Sequence, residues 1–480
     1  MEFSEFSINY LSKLIDKKEI SIPELTNCVL ERIKKADSQY GCYINVAQER
    51  AIRQSIEMQN KLDGKEGTHS ALFGIPMAIK DNICTKGIPT TCASKMLADF
   101  IPPYDAYVVK KLYDNGAVLL GKVNMDEFAM GSSTENSYFK NTLNPCDPER
   151  VPGGSSGGAA AAVAADEAVY CLGSDTGGSI RQPASFCGCV GLKPTYGLVS
   201  RFGLVAYASS FDQIGPLSKT VTDCAIVLNA IAGHDPMDST SSNRAVPDYT
   251  KALVEDVKGL KIGIPKEFMD DIVDQDIKDA ILKAVKTFED EGAICMEISI
   301  PVMQYVVPAY YIIALAEASS NLARYDGIKY GYRTLDCKNL SEMYKRTRSE
   351  GFGLEVKRRI LMGTYVLSSG YYEAYYKKAL KARNLIAKEF NKAFEKCDLM
   401  IGPVAPSTAY KIGEKINDPL KMYMEDIFTV PANIVGSPAI SIPCGIDRNS
   451  MPIGLQLLGK RFDELTILKA AFTFEQTRSL

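Results

Sequence analysis

Two glycine-serine turns are the segments of this chain whose residues could most directly do chemistry. Residues 153–158 read GGSSGG, and residues 175–179 read DTGGS. Glycine accepts positive φ and lets backbone N–H groups approach a ligand closely, so such a turn can direct several donors at one point. The hydroxyl of Ser179, at the end of the second turn, would lie beside those donors. The two turns therefore predict a catalytic centre lined by backbone.

A serine nucleophile needs a base, and the two histidines are poor candidates. His69 and His234 lie in polar, loop-like segments, so each is interpreted as a solvated loop residue. Lys80 is the better candidate, because it follows the apolar run LFGIPMAI and should emerge at the carboxyl end of a buried strand, where open α/β sheets place ligand sites. Burial favours the neutral amine, which can accept a proton. A lysine that ends a strand is more often a solvated cap, so this position alone does not decide its role.

The first turn has two other interpretations. A flexible linker would not run directly into AAAAVAA, which predicts a helix of small residues able to pack tightly on a sheet. A phosphate-binding loop would also open a helix, but GGSSGG supplies neither GxxxxGKS nor GxxxxGKT nor the spaced GxGxxG. An ordered turn in a catalytic site is the favoured interpretation.

The elements that must position these residues alternate between strand-like runs and amphipathic helices. Such alternation predicts an α/β sheet with helices on its faces. Strands are predicted at residues 72–79, 117–120, 169–173, 261–264, 293–300, 399–402, 439–443 and 453–458. Helices are predicted at residues 8–36, 45–62, 105–114 and 463–477. Long tyrosine-rich helical patterns over 302–396 predict a helical insertion, after which the last strands complete the sheet.

Length and composition indicate an ordinary globular protein. The 480 residues are 46% hydrophobic and 24% charged, and no linker-like segment divides them. We therefore expect a single domain over residues 1–480. Its parts would be N-terminal helices (1–65), a catalytic core (66–300), the helical insertion (301–397) and a C-terminal completion of the sheet (398–480).

Charge and cysteine content indicate which partners and which cellular compartment to expect. The net charge of −3 gives no overall basic surface, so this chain is not expected to supply most contacts to a nucleic acid. Thirteen cysteines, odd in number and without a CxxC pair of zinc spacing, indicate reduced, mostly buried thiols and no metal. The first residues lack the pattern of a signal peptide, and no apolar run reaches about 18 residues. We expect a cytoplasmic protein that does not enter a membrane.

The segments GGSSGG and GSDTGGSIRQP, with Lys80 upstream, resemble the signature of the amidase signature family. The resemblance extends over essentially the whole chain and implies the amidase-signature fold, an α/β fold whose central mixed β-sheet is covered by helices on both faces. It also implies a Ser-cisSer-Lys triad. Ser179 would be the nucleophile that forms the acyl ester, Ser155 the bridging serine after a cis peptide bond, and Lys80 the base. Protons would pass from Ser179 through Ser155 to Lys80.

The same resemblance assigns donors for the oxyanion. The backbone N–H groups of Thr176, Gly177, Gly178 and Ser179 correspond to the oxyanion hole of the family. Preorganised donors of this kind are typically worth about 3 kcal/mol each. The intact triad positions argue against another class of protein, a catalytically inactive scaffold that only organises partners.

Further segments resemble a narrower group of the family, the glutamine-hydrolysing A subunits of tRNA-dependent amidotransferases. These segments are MGSSTENS, ERVPGGSSGG, GLKPTYG, ASSFDQIGP and MEDIFTVPANIVGSPAIS. The resemblance implies that Arg359 binds the α-carboxylate of glutamine, that Asp426 binds its α-amino group and that Tyr310 makes a further contact. Taken alone, Arg359 in its basic run is better explained as part of a solvated helix face, and Asp426 as a helix cap.

This narrower resemblance implies a heterotrimer with B-type and C-type subunits. Ammonia would pass to the B subunit, which would hold most of the mischarged tRNA and use ATP and Mg²⁺ to amidate Glu-tRNA(Gln), Asp-tRNA(Asn) or both. No cofactor is expected in this chain. Cys146 and Leu198 depart from the residues common at their positions, but neither belongs to the triad. The alternative is a free-standing amidase for a small or aryl amide, which would be expected to lack the pair of Arg359 and Asp426.

Overall fold

Eleven strands form one sheet through the centre of the protein. The computed structural model describes residues 5–64, 69–415 and 418–478. Within these ranges the strands are β1 (Tyr43–Val46), β2 (Pro76–Lys80), β3 (Val118–Val123), β4 (Tyr170–Asp175), β5 (Val190–Lys193), β6 (Gln213–Ser218), β7 (Lys261–Pro265), β8 (Ile294–Ile298), β9 (Leu399–Pro403), β10 (Ala439–Ile446) and β11 (Pro452–Gly459). Their order across the sheet is β1-β3-β2-β4-β6-β5-β10-β11-β9-β7-β8.

The sheet is mixed, which confirms the expected fold class. β2 runs parallel to β3 and β4, and β7 runs parallel to β8 and β9, whereas the other pairs are antiparallel. The carboxyl ends of two parallel strands meet at the same edge of a sheet, where α/β proteins bind ligands. Lys80 ends β2 and Asp175 ends β4, so the expected base and the second glycine turn leave the sheet side by side.

Helices cover both faces of this sheet. In the described ranges they are α1 (Ile8–Asp16), α2 (Ile22–Tyr40), α3 (Gln48–Asp63), α4 (Tyr107–Asp114), α5 (Gly157–Ala164), α6 (Arg181–Cys187), α7 (Val221–Ile231), α8 (Gln275–Asp290), α9 (Val306–Asn321), α10 (Leu340–Gly351), α11 (Leu354–Leu367), α12 (Lys377–Phe394), α13 (Pro419–Met424), α14 (Val430–Val435) and α15 (Glu464–Thr477). A π-helical turn, Tyr372–Tyr376, leads into α12. No helix of the described ranges combines the length and apolar character that a membrane span requires.

The N-terminal helices differ from the prediction in two places. The pattern over residues 8–36 belongs to two helices, because Lys18 has a left-handed φ of 59° and Ser21 then starts α2 in a capping box with Glu24. The helix expected from residue 45 begins at Gln48, since Tyr43–Val46 pairs with β3 as an edge strand.

Two strands and one inter-helix segment also depart from the prediction. β5 is only four residues long, and β6 contains Gly215 and Pro216, so neither shows a clear strand pattern in sequence. Residues 325–339, inside the predicted helical insertion, form bends and irregular structure. The other predicted strands overlap β2–β4 and β7–β11. The division into segments 1–65, 66–300, 301–397 and 398–480 stays a prediction, and its residues 1–4, 65–68, 416–417 and 479–480 lie outside the described ranges.

Helix α5 is the small-residue helix expected after the first turn, and its residues Gly157–Val163 are all buried. A Cβ atom on Gly158 would lie 2.5–2.8 Å from backbone atoms of Asn124 and Cys42, which follow β3 and precede β1. Only glycine permits so close an approach. The helix therefore fixes the turn before it against the sheet.

Candidate active site

Lys80 is completely buried and contacts the first glycine-serine turn. Its Nζ atom lies 2.7 Å from Ser155 Oγ, 2.8 Å from Ser156 Oγ and 3.2 Å from the carbonyl oxygen of Ser174. Burial lowers the pKa of Lys80 to about 7, although nearby carboxylates, led by that of Asp126, act in the opposite direction. The neutral amine is therefore well populated near neutral pH.

The directions of these hydrogen bonds leave Ser155 as the donor to a neutral Lys80. Ser156 Oγ donates to the carbonyl oxygen of Ser174 at 3.1 Å, so it can only accept from Lys80, as the carbonyl oxygen must. A neutral amine has two N–H bonds for these two acceptors and one lone pair. That lone pair is then left for the hydroxyl of Ser155. The contacts can accordingly move a proton from Ser155 to Lys80.

The first turn reaches Lys80 through a cis peptide bond between Gly154 and Ser155, which confirms the expected cis bond. The N–H of Gly154 donates to Gln182 Oε1 at 2.9 Å. The N–H of Ser156 donates to the carbonyl oxygen of Ser179 at 3.1 Å. The two turns that stand apart in sequence are therefore joined directly in the structure.

Ser179 is the member of the expected triad that solvent can reach. Its exposure is 8%, whereas Lys80 and Ser155 are fully buried. This accessibility suits a nucleophile, which must meet its substrate. Within the described ranges no hydrogen bond joins Ser179 Oγ to Ser155 Oγ, so the first step of the proton relay stays a prediction.

A buried ion pair holds the second turn in place. Arg181 Nε and Nη2 each lie 3.0 Å from a carboxylate oxygen of Asp175. Although burial opposes it, Arg181 lowers the pKa of Asp175 to about 2. The same carboxylate accepts the N–H groups of Gly178 at 2.9 Å and Ile180 at 3.2 Å. The backbone around Ser179 is thus shaped by a fully ionised, buried aspartate.

The set of expected oxyanion donors is narrower than the sequence implied. Gly178 N–H is already used by Asp175, as described above. The N–H groups of Thr176, Gly177 and Ser179 donate to no acceptor in the part of the chain that the structure describes. Thr429 Oγ1 donates to the carbonyl oxygen of Gly177 at 2.6 Å, which steadies the turn. Three donors can therefore face a developing oxyanion, and their catalytic role stays a prediction.

Arg359 lies on the inner side of α11 and is only 4% exposed, so it does not belong to a solvated helix face. Its Nε atom lies 2.8 Å from Glu355 Oε1, and its Nη1 atom lies 2.7 Å from the hydroxyl of Tyr207. The rings of Tyr207, Tyr311 and Tyr423 have centroids 5.3–5.8 Å from its Cζ atom. The guanidinium is thus held inside an aromatic cage.

Asp426 and Tyr310 make different contacts beside this cage. Asp426 is partly exposed, and its Oδ2 atom accepts a hydrogen bond from the hydroxyl of Tyr311 at 2.9 Å. Burial raises the pKa of Asp426 to about 7. The hydroxyl of Tyr310 instead lies against the second turn, since a Cβ atom on Gly177 would be 2.5 Å from it. The rings of Tyr310 and Tyr311 have centroids 5.0 Å apart, so Tyr310 connects the cage to the second turn.

Short contacts link the distant residues of the expected site. Thr429 N–H donates to the carbonyl oxygen of Asp426 at 3.1 Å, and Arg181 Nη1 donates to the carbonyl oxygen of Thr429 at 2.8 Å. The segment with Asp426 therefore rests on the second turn. In the described ranges neither histidine hydrogen-bonds to a glycine-serine turn, and His69 stacks on Phe73 with centroids 4.4 Å apart.

Several residues of the site were not predicted from sequence. They are Ser156, Asp126, Asp175, Arg181, Tyr207, Tyr311, Glu355 and Tyr423. Asp175 and Arg181 flank the second turn within GSDTGGSIR, so their opposite charges six residues apart were a usable signal. No local sequence pattern marks the tyrosines and Glu355 as site residues, because their role depends on which distant segments pack together.

One group of side chains away from this site could in principle hold a metal ion. The ligand atoms of Asp37, Cys42 and Glu167 lie within 4.8 Å of one another. Asp37 already accepts hydrogen bonds from the N–H of Tyr43 and the ammonium of Lys140. The expectation of no metal stays a prediction. Nine of the thirteen cysteines are buried, in agreement with the expectation of mostly buried thiols.

Comparison with known proteins places this geometry in a family. The Amidase family model matches residues 24–468. The A subunit of glutamyl-tRNA(Gln) amidotransferase from Caldanaerobacter subterraneus subsp. tengcongensis is 60% identical over 476 residues, covering 99% of this chain and 97% of that protein. The crystal structure of the protein of the same name from Thermotoga maritima is 44% identical with a TM-score of 0.83, covering 100% of this chain and 96% of that chain. Native peptide amidase from Stenotrophomonas maltophilia is 28% identical with a TM-score of 0.82, covering 99% and 98%. The chain therefore belongs to the amidase family.

Proposed function

We propose that this chain is the glutaminase subunit of a tRNA-dependent amidotransferase. The observation that carries the chemistry is the buried Lys80 amine, 2.7 Å from Ser155 Oγ and with a pKa lowered to about 7. The choice of glutamine is supported by the identity, over almost the full length of both chains, with proteins named as A subunits of such enzymes.

The first half of the reaction would form an acyl ester. Neutral Lys80 accepts the proton of Ser155, Ser155 accepts the proton of Ser179, and Ser179 Oγ attacks the side-chain amide carbon of glutamine. The amide oxygen becomes an oxyanion, which the N–H groups of Thr176, Gly177 and Ser179 stabilise. When this intermediate collapses, the proton returns from Lys80 through Ser155 to the leaving nitrogen. The C–N bond breaks and ammonia departs.

The second half would release glutamate by the same path. Water attacks the ester carbon while Ser155 and Lys80 accept its proton, and the same donors stabilise the second oxyanion. Collapse of the intermediate breaks the bond to Ser179 Oγ, and the proton returns to that atom. Glutamine and water are thus converted into glutamate and ammonia.

Recognition of glutamine would use the two charged groups above the second turn. Arg359 would hold the α-carboxylate, Asp426 the α-ammonium, and Tyr310 would make a further contact near Gly177. A bound ammonium group would lower the pKa of Asp426 from its raised value of about 7. A free-standing amidase for a small or aryl amide is less favoured, because such substrates have no use for this pair of charged groups.

The assembly would contain two further subunits. A B-type subunit would receive the ammonia, bind ATP and Mg²⁺ and hold most of the mischarged tRNA, and a C-type subunit would join the two larger subunits. The names of the relatives support a multi-subunit enzyme. Whether Glu-tRNA(Gln), Asp-tRNA(Asn) or both are amidated would depend on the partner. We place this heterotrimer in the cytoplasm.

The assembled complex with Ser179→Ala tests this proposal. The variant should lose glutamine-driven amidation of tRNA, because the nucleophile is gone, while ammonium chloride still drives amidation at the partner subunit. Ser349→Ala, at an exposed position of α10, is the matched control and should retain both activities. A parallel loss of glutamine-driven and ammonia-driven amidation would show that Ser179 is structural and would contradict the mechanism.

A further inference from the structure

We propose that Glu355 is the positioning residue that presents Arg359 to the carboxylate of the substrate. The inference rests on the proposed function, in which Arg359 binds the α-carboxylate of glutamine. Glu355 does not itself meet the substrate in this arrangement. It acts by fixing the direction of the guanidinium group.

Glu355 and Arg359 form a buried pair one turn apart on α11. Their side chains are each 5% exposed, and Arg359 Nε lies 2.8 Å from Glu355 Oε1. The hydroxyl of Tyr423 donates to the same oxygen at 2.9 Å, and Arg358 binds the other carboxylate oxygen. Tyr423 and Arg358 therefore hold the carboxylate of Glu355 independently of Arg359.

The pairing with Glu355 decides which N–H groups of Arg359 remain available to a substrate. A guanidinium carries five N–H bonds on three nitrogens. Nε is taken by Glu355 and Nη1 donates to Tyr207, whereas Nη2 donates to no acceptor in the described ranges. A carboxylate can accept two parallel hydrogen bonds from Nη1 and Nη2 or from Nε and Nη2. Because Glu355 occupies Nε, the edge with Nη1 and Nη2 is the one left for the substrate.

The position of Asp426 explains why the arginine needs such an anchor. The ring of Tyr311 packs 5.8 Å from Arg359 Cζ, and its hydroxyl donates to Asp426. The pocket therefore contains a cation and an anion that would bind each other unless each had its own partner. Arg359 has Glu355 and Asp426 has Tyr311. Without Glu355, we expect Arg359 to turn to Asp426, which would remove both groups that recognise glutamine.

The experiment compares Glu355→Ala with Glu355→Gln in the glutaminase assay of the assembled complex. Loss of the anchor should raise KM for glutamine about tenfold, because a tenfold change in binding corresponds to losing about one charged hydrogen bond. The kcat should stay within about twofold of the original enzyme, since the triad is untouched. Glu355→Gln keeps an acceptor for Arg359 Nε and should restore most of the affinity. For L-glutaminamide, which lacks the α-carboxylate but keeps the α-ammonium group, the KM should rise less than for glutamine, since only the contact with Asp426 can be lost.

Two reference variants make the result decisive. Glu57→Ala removes an exposed glutamate that also has an i,i+4 partner, Lys61, and should leave KM unchanged. Arg359→Ala tests the proposed role of the arginine separately: if it leaves KM for glutamine unchanged, the assignment within the proposed function fails. If Arg359→Ala raises KM but Glu355→Ala does not, the inference about Glu355 is overturned. It is equally overturned if both Glu355 variants lower kcat and thermal stability together, which would mark a purely structural role.

Discussion

Lys80 and Lys122 are both buried but have different partners, and this difference explains why Lys80 suits a base. Lys122 is also fully buried, but its ammonium lies 3.8 Å from the carboxylate of Asp81, with which it forms an ion pair. Lys80 has only neutral oxygens as hydrogen-bond partners. A nearby anion stabilises the charged amine, whereas neutral acceptors in a dry site do so less effectively. Lys80 can therefore exchange its proton near neutral pH without breaking an ion pair.

The lowered pKa of Lys80 predicts how the glutaminase rate depends on pH. The base must be neutral, so kcat should rise between about pH 6 and pH 8, with a midpoint close to the pKa of about 7. Asp426 must be ionised and also has a pKa of about 7, but a bound ammonium group lowers that value, so its titration affects kcat/KM more than kcat. Initial rates at saturating and limiting glutamine separate the two groups. A kcat that stays flat through this range would exclude Lys80 as the base.

The motif residues of the site could be predicted from sequence, whereas their supporting residues could not. Ser155 and Ser179 stand in glycine-serine turns whose composition is unusual in itself, and the resemblance to the amidase signature family implies the role of Lys80. The loss of Gly178 as an oxyanion donor depends on the carboxylate of Asp175 turning back onto the loop. The hydrogen bond from Tyr311 to Asp426 depends on the rotation of α9. The directions in which these side chains point are set by packing between segments far apart in the chain. No local sequence pattern predicts them.

At the scale of elements, parallel pairing of β2 and β4 and the close contact of α5 bring the two turns together. β2 supplies Lys80, β4 supplies the second turn, and α5 begins directly after the first turn. The strands with long apolar runs were predictable, because a run fully buried on both faces has few alternatives. β5 and β6 were not, since four residues or a Gly-Pro pair give too little pattern and only their neighbours in the sheet make them strands.

Because α5 packs closely on the backbone beside the sheet, adding one methyl group at Gly158 should strongly lower the stability of the protein. Gly158→Ala would place Cβ within 2.5–2.8 Å of backbone atoms of Asn124 and Cys42, none of which can rotate away. Overpacking of this kind lowers the free energy of unfolding by about 1–3 kcal/mol. The displaced helix should also lower glutaminase activity, because the turn with Ser155 immediately precedes it. Denaturant unfolding and the glutaminase rate would be measured on the same preparations.

Gly445→Ala on β10 provides the comparison for that substitution. A Cβ atom at Gly445 would meet nothing closer than Ala280 Cβ at 3.5 Å, which is an ordinary contact. The control should change stability by no more than about 0.5 kcal/mol. Equal stability of the two variants would show that α5 can shift without a loss of stability. It would contradict the claim that only glycine fits at position 158.

At the scale of the whole molecule, the last strands of the chain lie inside the sheet. β10 and β11 stand between β5 and β9, and β9 pairs with β7, so the C-terminal strands connect the sheet of the N-terminal half to β7 and β8. Asp426 lies in the connection between β9 and β10, whereas Lys80 ends the second strand of the chain. The expected substrate site is therefore complete only when nearly the whole chain has folded.

The net charge of the chain predicts which subunit of the proposed complex binds the tRNA. The 55 lysines and arginines are balanced by 58 aspartates and glutamates, which leaves no excess of cations for a polyanion. We expect the isolated chain to bind tRNA only with the weak, salt-sensitive affinity of non-specific contacts, with Kd above about 1 μM at physiological salt. The assembled complex should bind more tightly, because the partner would supply most contacts. Filter binding of labelled tRNA to the chain alone and to the complex measures both. Tight and specific binding by the chain alone would contradict this division and would place the tRNA on the glutaminase subunit.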